Sequence, residues 1–273
     1  MNADGTPVSV ASIHVHPVKS CRGTAVASAA LDHWGIVGDR RFLVVDPSGS
    51  FLTQRTVPRL ALVRPTFDPG SRTLELSAPS GTSVRVATQH SDATSTATIW
   101  GNEVRVVDVG AEAARWLTDF LERPVRLVHM ASDFTRPVSR AARAGDETAF
   151  TDGFPLLVIG EASLADLSHR LDFPVPMDRF RPNLVLRGSP PYAEDTWKRI
   201  RIGDCILRAA GPCARCVVTT TDQETLERSP EPLRTLARYR RSEEGAVLFG
   251  QNYIHETKSG TLRVGAEIEI LEA

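Results

Sequence analysis

Cys213-Ala214-Arg215-Cys216 carries the most explicit chemistry in this chain: two thiols three residues apart, with a guanidinium beside the second. The spacing suits a redox pair, half of a zinc site, one functional thiolate beside a bystander, or two buried structural thiols. A structural zinc needs four ligands. With no second CxxC and no HxxxH, it would have to recruit Cys205 and a distant histidine. A thioredoxin-type pair sits after a strand at the start of a helix, whereas the β-branched run Val217-Val218-Thr219-Thr220-Thr221 reads as strand. A cation beside a thiol favours the thiolate, the form that soft metals bind, and Arg215 is the cation adjacent in sequence.

Lys19-Ser20, Arg40-Arg41, Arg55 and Arg181 each follow or begin a strand-like run. At strand ends, Arg offers a planar fork to phosphate oxygens and Ser a single donor, as a phosphate-bearing cofactor would need. Taken singly, each is more often a solvated surface charge. Asp39 and Asp152 flank expected turns, where a carboxylate either caps the turn or serves as a proton donor near a reacting centre. His14 and His16 share one strand face, and without a third ligand nearby they read as a packed or surface pair. Dinucleotide, P-loop, zinc-protease, serine-hydrolase and EF-hand signatures are all missing from the sequence.

The elements that must position these groups are mostly strands. Runs at Val8–Val15, Arg41–Asp46, Leu60–Val63, Thr73–Leu76, Ser83–Val86 and Glu103–Asp108 alternate or are β-branched. Asp46-Pro47-Ser48-Gly49 and Asp68-Pro69-Gly70 read as hairpin turns. Helical spacing appears over Gly110–Glu122, Glu161–Leu171 and Pro230–Tyr239. Strands resume at Phe154–Ile159, Asn183–Leu186, Ile200–Ala209 and Leu262–Leu271. The polar stretch Ser132–Thr148 reads as a mobile loop and a domain boundary, and Ser91–Thr98 as an exposed loop.

With 273 residues, 41% apolar and 24% charged, the chain has the composition of a globular protein of one or two domains. Thirty-two Lys and Arg against 33 Asp and Glu create no long-range field to attract nucleic acid. No apolar run approaches a bilayer span and the first residues lack secretory features, so the expectation is a cytoplasmic protein with no membrane partner.

Taken in order, further blocks complete a pattern: His16-Pro17-Val18-Lys19-Ser20-Cys21-Arg22-Gly23, Gly38-Asp39-Arg40-Arg41-Phe42, Gln54-Arg55, Phe150-Thr151-Asp152-Gly153-Phe154-Pro155, Phe180-Arg181-Pro182-Asn183, the Cys213–Cys216 run with Val217-Val218-Thr219-Thr220, Leu248-Phe249-Gly250, and Gly260-Thr261-Leu262-Arg263-Val264-Gly265. The chain so resembles MOSC-domain proteins, especially the branch containing the mitochondrial amidoxime-reducing component and its bacterial relatives. The resemblance implies an α+β, mainly β fold: an N-terminal MOSC-associated β-barrel-like domain over 1–130, packed on a MOSC β-barrel domain with peripheral helices over 131–273. It implies a molybdenum cofactor (Mo-molybdopterin), with Cys216 as the metal's protein ligand. Lys19, Ser20, Arg40 and Arg181 would anchor phosphate and pterin, with Asn183 as a further donor and Thr151 and Arg55 lining the same cavity. Asp152 would hydrogen-bond the metal's labile oxygen or relay a proton; Cys213 has no required role.

The activity implied is reductive removal of oxygen from small N-hydroxylated substrates: hydroxylamines, amidoximes or N-hydroxylated bases. The alternative is a non-catalytic carrier of the cofactor or of sulfur, acting through the same cysteine. The membrane anchor of the mitochondrial relatives and the ferredoxin-like domain of some bacterial ones have no counterpart between Met1 and Ala273. Electrons are therefore expected from a separate donor protein of ferredoxin, cytochrome b5 or flavoprotein type. Thr221-Asp222-Gln223-Glu224-Thr225 departs from the Asp-Pro-x-Thr-Gly turn of many relatives, which bears on substrate choice.

Overall fold

The structure, a computed structural model, describes residues 7–88, 93–171 and 173–273. Its largest sheet has eight strands in the order Ile268–Glu272, Arg199–Ile202, Cys205–Ala214, Leu248–His255, Leu156–Gly160, Leu184–Arg187, Ser9–Val15 and Thr24–Val26. The first strand of the chain thus pairs with the C-terminal half. Its inward residues Val10 and Ile13, with Val8 just before it, share a core with Leu156, Leu184, Ile200, Leu207 and Tyr253. A four-stranded sheet (Phe42–Val45, Arg126–Met130, Asn102–Asp108, Thr94–Ile99) and a three-stranded meander (Arg64–Asp68, Thr73–Ser77, Ser83–Ala87) build most of the N-terminal half. A short fourth sheet joins Thr261–Arg263 to Ser28–Asp32 and Gly35–Ile36. The mainly β, α+β reading of the sequence holds.

The three α-helices among the described residues are α1 (Ala111–Leu121), α2 (Glu161–His169) and α3 (Leu233–Tyr239), each within an expected helical stretch. Ala113, Leu117 and Leu121 of α1 recur every four residues, and that stripe is buried against the meander and the four-stranded sheet. Helix α2 is the crossover between the two parallel strands of the large sheet.

Several strand expectations fail for local reasons. Leu60–Val63 lies largely in a 3-10 turn, Pro58–Leu62, because Pro58 brings a preset φ and no N–H for a ladder. Val217–Thr220 is also 3-10 rather than strand: the hydroxyls of Thr219 and Thr220 donate to the carbonyls of Cys216 and Val217, at 3.0 and 2.7 Å. These local bonds replace ladder partners. Ile200–Ala209 turns back at Gly203 to form a hairpin, and Leu262–Leu271 breaks at Gly265 into strands of two different sheets; both glycines have positive φ, 56° and 83°.

The polar run expected as a loop over Ser91–Thr98 contributes the strand Thr94–Ile99, which buries Ala97 and Ile99 and turns its threonines outward; Ser91 and Asp92 lie outside the described residues. Ser132–Thr148 is irregular as expected, yet it is tied down by buried Arg136, whose Nη1 donates to the carbonyls of Ala149 and Thr151 at 2.7 and 2.9 Å.

Candidate functional site

Asp152 and Arg181 precede the two parallel strands Leu156–Gly160 and Leu184–Arg187. Lys19 follows Ser9–Val15, which runs antiparallel to the second of these, so all three residues lie at the same end of these neighbouring strands. Cys216 arrives from Cys205–Ala214, whose register shifts after Ala209 and after Pro212, irregularities that bend a strand and re-aim the residues beyond it. Between them lies a cavity of about 270 Å³ whose wall includes all nine candidates: Lys19, Ser20, Arg40, Arg55, Thr151, Asp152, Arg181, Asn183 and Cys216.

Among the described residues, six cationic side chains and a single carboxylate line this cavity. The carboxylate, Asp152, is paired with Lys19 by a short hydrogen bond and lies 4.0 Å from Arg55. Its side chain is 67% exposed and lines the cavity. Burial opposes its ionisation, but Lys19, Arg55 and Arg40 outweigh that and hold it well below the usual carboxylate range. Lys19, whose side chain is 6% accessible, has its pKa lowered to about 8; burial dominates and Asp152 only partly offsets it, with Arg136 and Arg40 adding to the depression. Asp152 is therefore ionised at neutral pH, and Lys19 is the member of the pair that carries the proton.

The charge of Lys19 falls as pH rises through about 8, so anion binding should fall with it. Sulfate keeps its own charge constant across this range. Its affinity for the cofactor-free chain is expected to weaken several-fold from about pH 7 to about pH 9. An affinity flat across that range, measured by calorimetry, would contradict the placement of Lys19.

Arg40 is locked from behind. Its Nη1 donates to Asp39 Oδ2 at 2.6 Å and to Asn183 Oδ1 at 3.0 Å, and its Nη2 to the Arg181 carbonyl at 3.1 Å. Asp39 Oδ1 accepts from the His16 amide at 2.7 Å, so this buried acid orients Arg40 and the turn. Asn183 spends both ends of its amide on protein: Oδ1 accepts from Leu157 N and Arg40, and Nδ2 donates to His14 O. Thr151 Oγ1 bonds Thr148 Oγ1 at 2.7 Å. Arg181 donates through Nη1 to Cys21 O at 2.6 Å, while its Nη2 is buried without a partner, as is Nε of Arg215. Burial, assisted by Arg40, lowers the pKa of Arg181 to about 10.

Ser20, Arg40 and Arg181 all adopt positive φ, at 67°, 48° and 56°. Non-glycine residues rarely do so, and such strain persists where surrounding structure imposes it, commonly at ligand sites. Gly23 answers to a different constraint, since a Cβ there would lie 2.4 Å from the His16 ring. His16 itself is buried, its Nε2 against the Pro182 carbonyl at 3.2 Å.

All four cysteines are free thiols. Cys21 is buried, and burial pushes its pKa up to about 12; Cys205 is packed in the main core. Among the described residues no three His, Cys, Asp or Glu side chains gather as a metal site, and the zinc arrangement through Cys205 is not formed. The cation at Cys216 is also not the one adjacent in sequence. Arg215 sends Nη1 to Cys213 Sγ at 3.0 Å and Nη2 to Phe180 O at 2.6 Å, whereas Arg55 places Nη2 3.2 Å from Cys216 Sγ. The reason is backbone geometry: neighbours on extended chain point to opposite sides.

Sequence reasoning passes over Arg140 and Asn252 in the wall, and Arg136 behind it; isolated polar residues far apart in the chain give no spacing signal. Gln54 stands out in the sequence only as the neighbour of Arg55, yet it lines the cavity and pairs with Gln223 at 3.0 Å. That pair anchors the divergent loop. Within the loop, Asp222 Oδ1 accepts from the amides of Glu224 and Thr225, both at 2.9 Å, so it is a tight Asp-nucleated turn without proline.

Comparison with known proteins finds two family matches: MOSC N-terminal beta barrel domain over residues 8–124, and MOSC domain over residues 145–269. Mitochondrial amidoxime-reducing component 1 is 36% identical in Homo sapiens and 34% in Mus musculus; each alignment covers 96% of this chain, and 83% and 82% of those proteins. Molybdenum cofactor sulfurase of Oryza sativa subsp. japonica is 33% identical over 89% of this chain and 32% of its own length.

Proposed function

The chain belongs to the MOSC-domain family, and on that premise we propose that it is a molybdenum-cofactor-dependent oxidoreductase that reduces small N-hydroxylated compounds. The observation that carries the cofactor assignment is the imbalance in the cavity wall, six cations to one carboxylate, with buried N–H groups of Arg181 and Arg215 unpartnered. Buried donors and cations without acceptors are costly, and a phosphate-bearing, heteroatom-rich ligand satisfies them.

The residues fit the group. Lys19, Ser20, Arg40 and Arg181 would hold phosphate and pterin; Asn183 and Asp39 would keep Arg40 aimed; Cys216 would supply a sulfur ligand to the metal. When bound, the cofactor supplies two-electron redox chemistry and oxygen acceptance. In the net reaction the N–O bond breaks, two electrons and two protons are taken up, and the oxygen leaves as water. The electrons come from a separate donor protein. Around that chemistry Lys19 holds a proton at Nζ, Asp152 accepts its hydrogen bond, and Arg55 directs an N–H at Cys216 Sγ. This arrangement orients and stabilises charge, and it places a proton beside the reacting end.

The match to the sulfurase favours a second reading, in which the same cysteine serves a carrier of cofactor or sulfur. One experiment separates them. Protein from a cofactor-producing host is assayed for molybdenum, pterin and benzamidoxime reduction with a chemical or protein reductant. Near-stoichiometric metal and pterin with many turnovers per molybdenum supports the reductase. Stoichiometric release of cofactor without turnover supports the cofactor carrier, and the absence of both metal and pterin rejects the reductase in favour of a sulfur carrier or a purely structural protein.

A further inference from the structure

Trp100 sits at the tip of the hairpin between strands Thr94–Ile99 and Asn102–Asp108, where Ile99 pairs with Asn102 across the two-residue turn Trp100-Gly101. Both turn residues have positive φ, 50° and 77°. A turn of this type favours Asn-Gly, and a bulky aromatic in its first position is strained and rare. Nor does the side chain compensate by burying itself, for Trp100 remains 40% exposed. Local propensity and burial thus both argue against tryptophan here.

What the indole touches is the reacting end of the cavity. Its ring lies 4.8 Å from the Arg55 guanidinium carbon and 5.5 Å from Lys19 Nζ, with Phe51 against it at a centroid distance of 4.8 Å and an edge-to-face angle of 62°. Arg55 is the group 3.2 Å from Cys216 Sγ, and Lys19 is the partner of Asp152. One aromatic face from the N-terminal half therefore touches both cations that face the cysteine and the carboxylate. The geometry points to Trp100 as a positioning residue that holds Arg55 against Cys216 and Lys19 against Asp152. Cation–π attraction supplies the hold, and its strength at partly buried sites suits the task.

The activity arm of a test rests on the reductase reading, so a second arm does not. Trp100→Asn and Trp100→Phe are compared with wild type in the full chain, by thermal melting, by sulfate binding to cofactor-free protein, and by kcat and KM for benzamidoxime in loaded protein. Trp100→Asn installs the residue the turn prefers, so its Tm should equal or exceed that of wild type. Its sulfate affinity and kcat should nevertheless fall about tenfold, the loss of one to two cation–π contacts. Trp100→Phe, which keeps a π face, should recover most of both. Trp100→Asn that melts lower, with sulfate affinity and kcat per folded molecule unchanged, would show the indole to be structural and overturn the proposal. If wild type reduces nothing, the sulfate arm still decides the role of Trp100 while the reductase reading fails separately.

Discussion

Cys216→Ala is expected to lower benzamidoxime reduction to background while the protein stays folded. The thiol occupies an extended position at the head of a 3-10 turn, and its carbonyl, not its sulfur, accepts the bonds from Thr219 N and Oγ1, at 3.1 and 3.0 Å. Removing one half-exposed sulfur should cost less than about 1 kcal/mol, as at other sites outside the packed core. The metal's spectrum or its retention should change at the same time, since a thiolate ligand is lost. Cys213→Ala is the matched control: Cys213 lies in the same wall but faces Arg215, so it should keep most activity. A Cys216→Ala protein with native circular dichroism and undiminished turnover would remove this cysteine from the chemistry.

The second large effect is expected at Asp152. Asp152→Asn removes the counter-charge of Lys19, which then stands nearly buried beside Arg40 and Arg136 with no anion. Loss of a positioned charged group at a reacting centre lowers kcat/KM by about 10²–10⁴-fold. Stability should also fall by about 1–3 kcal/mol, because an uncompensated buried charge is left behind. Adding Lys19→Met should restore much of the stability, measured by urea unfolding, without restoring activity; coupling of this kind is what a double-mutant cycle isolates. Activity within about twofold of wild type in Asp152→Asn would place the carboxylate outside the reaction.

Helix α1 shows where sequence reading works: the repeat of Ala113, Leu117 and Leu121 is local, and the burial that results follows from helix periodicity alone. Val217–Thr220 shows where it fails. β-Branched residues carry a strand signal, but a threonine hydroxyl bonding back three residues competes with it, and only the surrounding backbone decides between the two. The large sheet is a longer-range case, since no local pattern joins Ser9–Val15 to Leu184–Arg187.

For the site, the family resemblance carried by the order of short blocks names nine residues that all line the cavity, but it passes over others in the same wall, such as Arg140 and Asn252. Nothing in that order distinguishes which cation meets which anion. Arg55, rather than Arg215, reaches Cys216; Asn183 and Asp39 brace Arg40; Trp100 lies over Arg55 and Lys19. Identity and spacing determine what groups are available, since these are properties of short chain segments. Pairing, protonation and strain depend on distances of a few ångströms between segments far apart in the chain, 161 residues for Arg55 and Cys216, and only the packed tertiary structure sets those distances.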